Sequence, residues 1–336
     1  MPKIKNVSAN NSSEIVMEQK SLRVLYESNA RKKSYMASTT KILTAITIIE
    51  NCNLNDIVTI DKKTTGIEGS SIYLEEGEKL SVKDLLYGLM LRSGNDCAET
   101  LAVYCSKSIE NFALLMNETA KKIGAVNSNF VNPHGLHNDN HYTTAYDLGL
   151  ISCYAMNNAN FREIVSTKYV KIPFTTRDTT RLLKNKNKIL WNLDGSTGIK
   201  TGFTKKAGRC LVSSCLKNGI EVICVVLNCP PMFERSENLI NNAINSYKIY
   251  KILSKKYAID FIPVKNNKEK VGLIIKNDVY LPLTEQELKN IKIVYNYPDI
   301  IENNVNCNEN IGEIQIYTQN NLIFSEKIYT IINVNI

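Results

Sequence analysis

The two apolar runs on either side of Asn218-Gly219 constrain the fold more than any other feature of the chain. RCLVSSCLK (209–217) and EVICVVLN (221–228) both read as buried strands. The Asn-Gly pair between them is the strongest short signal for a hairpin turn. A second hairpin is predicted for EIVMEQKSLRVLYE (14–27), where apolar alternation surrounds a polar QKS turn. The chain is therefore predicted to contain an antiparallel sheet with a buried centre.

Helical periodicity fills much of the chain around these strands. Apolar spacing predicts a helix over 38–50, and VKDLLYGLML (82–91) predicts a strongly apolar helix that Ser81 is placed to cap. Further helices are predicted at about 95–106, 109–123, 144–157 and 235–257, and a further strand at 168–174.

A change of pattern near residue 258 predicts a domain boundary. Beyond it, short β-rich runs alternate with Asn-rich turns. We predict a larger domain over 13–257 and a small β-rich domain over 258–336. Residues 1–12 are predicted to be disordered or a signal-peptide remnant, since Val7-Ser8-Ala9 resembles the end of a signal sequence but no apolar core precedes it.

Composition narrows the classes of function. The net charge of +8 is spread along the chain, which suits an anionic surface such as a cell wall and does not indicate nucleic acid. The sequence contains no apolar run of about 18 residues, so it predicts no membrane span. The nine cysteines lack CxxC spacing. They are predicted to be mostly buried small hydrophobes, with one or two disulfides as the alternative.

Two Ser-x-x-Lys matches occur, at Ser38–Lys41 and at Ser214–Lys217. Ser38 opens a predicted helix, where residues three apart share a face, so its Oγ and the lysine Nζ are predicted to lie within hydrogen-bond reach. Ser214 lies in a predicted strand, where positions three apart point to opposite faces. Only the first match is predicted to pair a nucleophile with a base.

Two further motifs support that choice. RSGND (92–96) places a serine and an asparagine two residues apart, directly after the apolar helix 82–91. GIKTGFT (198–204) supplies Lys-Thr-Gly on an extended segment. Ser-x-x-Lys, Ser-x-Asn and Lys-Thr-Gly in this order form the motif set of class A β-lactamases and penicillin-binding proteins.

Each catalytic residue has a predicted role. Lys41 can activate Ser38 only if its pKa falls well below about 10.4, and burial together with the positive charge of Lys200 would lower it. Ser93 can bridge the two lysines and relay a proton to the leaving group. Asn95 can hold Lys41 and donate its amide to the substrate backbone.

The substrate-binding residues are predicted from the Lys-Thr-Gly segment. Lys200 and Thr201 offer a charge and a hydroxyl to a terminal carboxylate. Gly202 lets a substrate backbone approach closely, as an added strand would. The backbone N–H groups of Ser38 and Phe203 are the predicted oxyanion hole.

With these motifs the chain resembles the serine-type D-alanyl-D-alanine carboxypeptidases, low-molecular-mass penicillin-binding proteins of the S11 peptidase type. The resemblance covers about residues 13–250 and extends more weakly to the β-rich module. It implies an α+β fold: a β-lactamase/transpeptidase-like catalytic domain, with an antiparallel sheet and a helical subdomain, followed by a small all-β domain. Segments that carry it beyond the motifs are 68–102, 129–136, 143–150, 182–191 and 198–214.

The resemblance also implies a reaction. The enzyme would remove the terminal D-alanine from peptidoglycan stem pentapeptides through an acyl-serine, without cofactor or metal, and β-lactams would be covalent inhibitors. An extracytoplasmic location is expected: secreted, in the wall or on the outer face of the cytoplasmic membrane. The chain shows neither a signal peptide nor the C-terminal amphipathic helix of many members, so peripheral membrane or wall association stays open.

Alternative readings remain at this point. A class A β-lactamase needs a glutamate in an ExxLN-like segment, and none occurs between Asn95 and Lys200. A DD-endopeptidase and a non-catalytic peptidoglycan-binding protein are the other candidates.

One loop and two single residues outside the motifs each allow more than one interpretation. The three histidines of HGLHNDNH (134–141) are spaced as zinc ligands could be. The stretch is a loop without an HExxH-like carboxylate, however, so a structural or cleft loop is predicted. Asp147 is predicted to be a helix-start carboxylate. Arg209 could pair with the substrate carboxylate or lie at the surface.

Overall fold

The central sheet is built around the hairpin predicted at Asn218-Gly219. The computed structural model describes residues 11–265 and 270–333. Asn218 and Gly219 have φ values of 54° and 78°, the left-handed pair that a type I′ turn requires, which confirms the predicted hairpin. The strands of the sheet are Ser13–Glu18 (β1), Val24–Ser28 (β2), Ser196–Thr204 (β7), Gly208–Lys217 (β8) and Ile220–Leu227 (β9).

The order of these strands explains their composition. They lie in the order β2-β1-β9-β8-β7, with β1 and β2 forming the other predicted hairpin. The central strand β9 is buried along its whole length, so its sequence is apolar rather than alternating, except for Glu221, which pairs with Arg162. Strand β7, by contrast, lies at an edge of the sheet. This edge carries the Lys-Thr-Gly segment.

Helices cover the sheet and form the helical part of the first unit. Their bounds are Lys41–Asn51 (α1), Val82–Leu91 (α2), Asn95–Ser106 (α3), Ile109–Ile123 (α4), Ala145–Ala155 (α5), Ala159–Ser166 (α6), Ile189–Asn192 (α7) and Met232–Ser246 (α8). Helices α6 and α7 are short and were not predicted. Ser81 caps α2 as predicted, since its side chain accepts from the Asp84 amide in a full capping box.

Short two-stranded elements complete this unit. Ile57–Thr59 (β3) pairs with Lys79–Ser81 (β4), and Tyr169–Phe174 (β5) pairs with Thr179–Lys184 (β6). The strand predicted at 168–174 is therefore one arm of a hairpin.

The helix predicted over 235–257 is wrong in its second half. Helix α8 ends at Ser246, and the chain continues as a strand, Lys248–Leu253 (β10). Isoleucine and tyrosine in KIYKIL favour a strand, and β10 pairs with Val279–Leu283 (β13). The division into compact units falls between Ile244 and Asn245, so the predicted boundary near 258 lies too late.

The second unit has its own apolar core, which includes Val271, Leu281, Ile314 and Ile328. It is β-rich as predicted, with a single five-residue helix, Glu285–Lys289 (α9), among the described residues. A five-stranded sheet has the order β11-β12-β16-β15-β14, with strands Asp260–Pro263 (β11), Lys270–Ile274 (β12), Ile291–Asn296 (β14), Asn310–Thr318 (β15) and Asn321–Thr330 (β16).

Three further sequence predictions can be set against the fold. The nine cysteines are free thiols, and most are buried as predicted. The predicted N-terminal segment 1–12 lies outside the described residues except for Asn11 and the buried Ser12. None of the helices in the described ranges combines the length and apolar character that a membrane span needs.

Candidate active site

Ser38 and Lys41 meet at the entrance to α1. Ala37–Thr40 form a 3-10 turn and α1 begins at Lys41. This geometry brings Lys41 Nζ to 3.2 Å from Ser38 Oγ, within the predicted reach. Ser38 is partly exposed whereas Lys41 is fully buried. A ligand can therefore reach the hydroxyl but not the amine behind it.

Lys41 is held by two oxygen acceptors from distant parts of the chain. Its Nζ donates to Asn95 Oδ1 and to the His134 carbonyl oxygen, each at 2.7 Å. Burial, followed by the nearby positive charge of Lys200, holds the pKa of Lys41 well below its usual range. The site thus favours the neutral amine that a general base requires.

Asn95 is fixed on both sides of its amide group. Its Oδ1 faces Lys41, and its Nδ2 donates to the Glu68 carbonyl oxygen at 2.5 Å. A Cβ added at Gly69 would lie 2.8 Å from that Nδ2, so glycine makes the close approach of this loop feasible. One amide hydrogen is therefore already used, and only the other is left for the substrate contact predicted from the sequence.

Ser93 lies between α2 and α3 in a left-handed conformation, with φ of 65°, and is 5 % exposed. Its hydroxyl makes no hydrogen bond to Lys41 or Lys200 in the described part of the chain, so the predicted bridge between the lysines is not formed in this structure. A non-glycine residue at positive φ is uncommon and tends to occur at functional sites.

Lys200 reaches into the site from the edge strand β7. It is 2 % exposed, and its Nζ donates to the Thr201 carbonyl oxygen at 2.9 Å. Burial and, secondarily, the charge of Lys186 lower the pKa of Lys200 to about 7. Thr201 is partly exposed, in line with a ligand-facing position.

Gly202 and Phe203 follow on the same strand. A Cβ added at Gly202 would lie 3.0 Å from the Met36 carbonyl oxygen and 3.1 Å from the Ser38 amide nitrogen. Glycine thus lets β7 pack closely against the turn that carries the serine, since a larger residue would push the two apart by a few tenths of an ångström. The sequence interpretation missed this reason. Phe203 is 59 % exposed, and the Arg209 guanidinium lies 5.4 Å from its ring centroid.

The loop 129–143 supplies the part of the site that sequence reasoning did not find. The His134 carbonyl contacts Lys41, and a Cβ at Gly135 would lie only 1.9 Å from the Ala37 carbonyl oxygen. His141 Nε2 lies 2.8 Å from Thr40 Oγ1. The Gly135 signal was visible in NFVNPHGL, but a backbone carbonyl carries no side-chain signature.

The histidines of this loop have separate partners. His134 lies 3.3 Å from Glu99, His137 lies 3.3 Å from Asp139, and burial lowers the pKa of His141 to about 3. Among the described residues, no group of three His, Cys, Asp or Glu side chains is arranged to hold a metal ion. The loop therefore acts here as a support for the start of α1.

Two buried carboxylates near helix starts are structural. Asp147 accepts from the Asn127 amide at 2.7 Å and from Ser128 Oγ at 2.8 Å, as the helix-start reading predicts. Asp96, which the sequence interpretation overlooked, accepts from Ser71 Oγ at 2.5 Å and from the Leu74 amide at 3.1 Å. It anchors the 70–74 loop beneath Asn95.

Comparison with known proteins covers both units. Residues 2–230 match the family model of D-alanyl-D-alanine carboxypeptidases, and residues 247–335 match the C-terminal domain of penicillin-binding protein 5. The carboxypeptidase DacF of Bacillus subtilis is 28 % identical over 90 % of this chain and 80 % of its own length. A D-alanyl-D-alanine carboxypeptidase of Streptomyces sp. K15 is 36 % identical over 60 % of this chain and 75 % of its own.

Solved structures agree with this match. Penicillin-binding protein 5 of Haemophilus influenzae superposes with a TM-score of 0.85 and 25 % identity, covering 96 % of this chain and 97 % of that one. The α+β fold with a β-rich C-terminal unit is thereby confirmed.

Proposed function

The chain belongs to the D-alanyl-D-alanine carboxypeptidase family of penicillin-binding proteins, and we propose that Ser38 and Lys41 carry out its reaction. It is a serine hydrolase of the cell wall whose substrate is a peptidoglycan peptide and whose site binds β-lactams. The geometry around Lys41 supports a role for each of the residues that act.

The arrangement of acceptors around Lys41 carries the proposal. A neutral amine has two N–H groups and one lone pair. Asn95 Oδ1 and the His134 carbonyl oxygen can only accept, so they take both hydrogens. The lone pair is then left for the third neighbour, the Ser38 hydroxyl at 3.2 Å. Lys41 is thus oriented to remove the Ser38 proton as Oγ attacks the carbonyl carbon.

Acylation proceeds by exchange of two bonds. The bond from Ser38 Oγ to the carbonyl carbon forms, the amide bond to the terminal D-alanine breaks, and the leaving amine takes up a proton. The amide groups of Ser38 and Phe203 stabilise the oxyanion, since Gly202 brings β7 against the Ser38 turn. Ser93 relays the proton once a ligand is bound. Water then releases the acyl group by the reverse path.

Recognition of the substrate terminus falls to β7. As an edge strand it can pair with an extended peptide. Lys200 and Thr201 contact the terminal carboxylate, and Gly202 admits the substrate backbone. With a pKa of about 7, Lys200 gains a partner that favours its charged form when a carboxylate binds. Arg209, which lies beside Phe203, takes a position at the edge of this site.

Carboxypeptidase activity is favoured over β-lactamase activity because no ExxLN-like glutamate lies between Asn95 and Lys200 to activate a deacylating water. Endopeptidase cleavage uses the same residues and is the second candidate. We place the enzyme outside the cytoplasm, secreted, in the wall or on the outer face of the cytoplasmic membrane.

One assay separates these outcomes. The protein is incubated with a fluorescent penicillin and, separately, with a pentapeptide ending in D-Ala-D-Ala, while adduct mass and D-alanine release are followed. A stable adduct on Ser38 together with D-alanine release supports the proposal. Rapid adduct loss with β-lactam hydrolysis indicates a lactamase, and the lack of any adduct indicates a binding protein.

A further inference from the structure

A basic groove is lined by Arg92, the residue before Ser93, and by none of the residues given a catalytic role above. Only the charge of its Lys186 acts on the site, by lowering the pKa of Lys200. The groove is an open cavity of about 420 Å³ whose lining includes Arg92, Lys184, Lys186, Lys188 and Trp191, and no carboxylate lines it. Lys186 forms its inner end, where its Nζ donates to Ser70 Oγ at 3.1 Å. We call these five residues and the space between them the basic groove.

The groove exposes three lysines at alternate positions of the chain, which we call the lysine row. Leu183, Asn185 and Asn187 are buried whereas the alternate residues Lys184, Lys186 and Lys188 are exposed. Strand β6 ends at Lys184, and Lys188 already has helical backbone angles (φ −63°, ψ −21°) at the start of α7, so the three lysines follow the end of a strand and the turn into a helix. A single anion can contact one or two of these ammonium groups, whereas a chain with repeated negative charges can contact all three.

These charges have no carboxylate partner in the part of the chain that the structure describes. Within residues 11–265 and 270–333, none of the four cations of the basic groove forms an ion pair. The adjoining cavity of about 780 Å³ shows the contrast, since its Arg177 and Arg181 are paired with Glu75 and Glu78. Burial and the charge of Arg92 lower the pKa of Lys186, as expected where like charges face one another without a counterion.

Trp191 adds an aromatic surface to the basic groove. It is 39 % exposed, its ring stands edge-on to Tyr169 at 6.0 Å, and Lys184 Nζ lies 5.6 Å from its centroid. An exposed indole beside ammonium groups suits a ligand with both apolar C–H faces and negative charge, such as a sugar or polyol phosphate.

The backbone of the groove argues against an extended peptide as the occupant. The amides of Asn185 and Lys186 already donate to the Lys168 and Leu91 carbonyl oxygens, and that of Asn187 donates to Asn185 Oδ1. No N–H of these three residues is left to pair with an added strand. A polymer without backbone amides does not bind by strand pairing, so the lack of free N–H groups does not weaken its binding.

We propose that the basic groove is a second binding site, which holds a phosphodiester polymer built from sugar or polyol units alongside the catalytic site. Its phosphates contact Arg92 and the lysine row, and one of its units packs on Trp191. The groove would then retain the enzyme on an anionic wall polymer while the catalytic residues act on peptide.

Trp191 is the single tryptophan of the chain, so intrinsic fluorescence reports on the basic groove directly. The protein is titrated with a glycerol-phosphate oligomer, and affinity is measured by fluorescence and calorimetry at several salt concentrations. The test variant is Lys184→Ala/Lys188→Ala. The control is Lys62→Ala/Lys63→Ala, which removes the same charge from an exposed turn outside the groove. Penicillin labelling of Ser38 verifies that each variant is folded.

We expect saturable binding that the test variant weakens about fivefold per lysine, or about 25-fold. The slope of log affinity against log salt should fall by about 1.4. Equal affinity of the test variant and the wild type would overturn the proposal, and so would an equal loss in the control. Polyglutamate binding as tightly as the oligomer, or inorganic phosphate producing the same fluorescence change, would refute the polymer as the occupant.

Discussion

Two stretches of this chain share the Ser-x-x-Lys spacing and differ in everything else. Ser38 and Lys41 lie in a 3-10 turn and the first turn of α1, with Oγ and Nζ 3.2 Å apart. Ser214 and Lys217 lie on β8, where Ser214 is fully buried against Thr197 Oγ1 at 2.6 Å. Lys217 points away and forms a surface ion pair with Asp194 at 3.0 Å.

The comparison separates spacing from environment. Helical and strand periodicity decide whether the two side chains meet, as the sequence predicts. Chemistry needs more, because a lysine in water stays protonated near neutral pH. Lys41 is buried beside a second lysine and its pKa is lowered. Five pairs of substitutions, ordered from the largest expected effect to the smallest, test this contrast.

The largest difference in acylation rate is expected between the alanine variants of the two serines, Ser38 and Ser214. Ser38→Ala removes the proposed nucleophile, so the rate of acylation by a fluorescent penicillin should fall by about 10⁶-fold, the scale of nucleophile knockouts in comparable sites. Ser214→Ala should acylate at the wild-type rate. Labelling of Ser38→Ala at a rate near wild type would show that another residue is acylated.

The second largest difference in acylation rate is expected between the alanine variants of the two lysines, Lys41 and Lys217. Lys41→Ala removes the proposed base, and acylation should slow by about 10⁴-fold. Lys217→Ala, which removes an exposed ammonium of the same motif, should have no effect on the rate. Stopped-flow acylation kinetics measure both. A decrease of less than tenfold for Lys41→Ala would assign the base to another group.

The charge of Lys200 should control the pH dependence. Its pKa of about 7 makes it positively charged on the acidic side, where it disfavours protonation of Lys41. Lys200→Gln removes that charge, so the pKa of Lys41 rises and the acidic limb of the acylation–pH profile moves to higher pH. Lys217→Gln should leave the limb in place. A shift to lower pH for Lys200→Gln would contradict the sign of this coupling.

The fit of β7 against the Ser38 turn should have a smaller effect. Gly202→Ala places a Cβ 3.0 Å from the Met36 carbonyl oxygen, so the strand must move by a few tenths of an ångström. We expect acylation to slow about tenfold. Gly219→Ala, in the turn after β8, should cost about 1 kcal/mol of stability through its φ of 78° without slowing acylation. The prediction fails if Gly202→Ala acylates normally.

The smallest expected effects are on the free energy of unfolding, for substitutions in the second Ser-x-x-Lys match, Ser214–Lys217. Ser214→Ala removes the buried hydrogen bond with Thr197 and should lower the free energy of unfolding by about 1 kcal/mol. Lys217→Ala removes an exposed ion pair and should change it by less than about 0.5 kcal/mol. Urea unfolding measures both values, and a larger cost for Lys217→Ala would reverse this ranking.

Much of the fold could be predicted because its elements carry local signals. The Asn218-Gly219 turn, the Ser81 cap of α2 and the alternation of β1 each follow from a few neighbouring residues. Helix α8 was extended too far because tyrosine and isoleucine at 247–253 also fit a helical spacing. Pairing of β10 with β13 decided that segment, and sequence periodicity does not report long-range pairing.

The sequence by itself determined which residue types enter the site and in what order: Ser38 and Lys41 on one face, Ser93 and Asn95 after an apolar helix, and Lys200 on a strand. Local geometry is encoded locally, so these placements follow from periodicity. Only the tertiary structure decided the chemical state of Lys41. Its two acceptors lie 54 and 93 residues away, and the carbonyl of His134 has no side-chain signal. The desolvation that lowers a pKa depends on every segment packed around the amine, and folding alone brings those segments together.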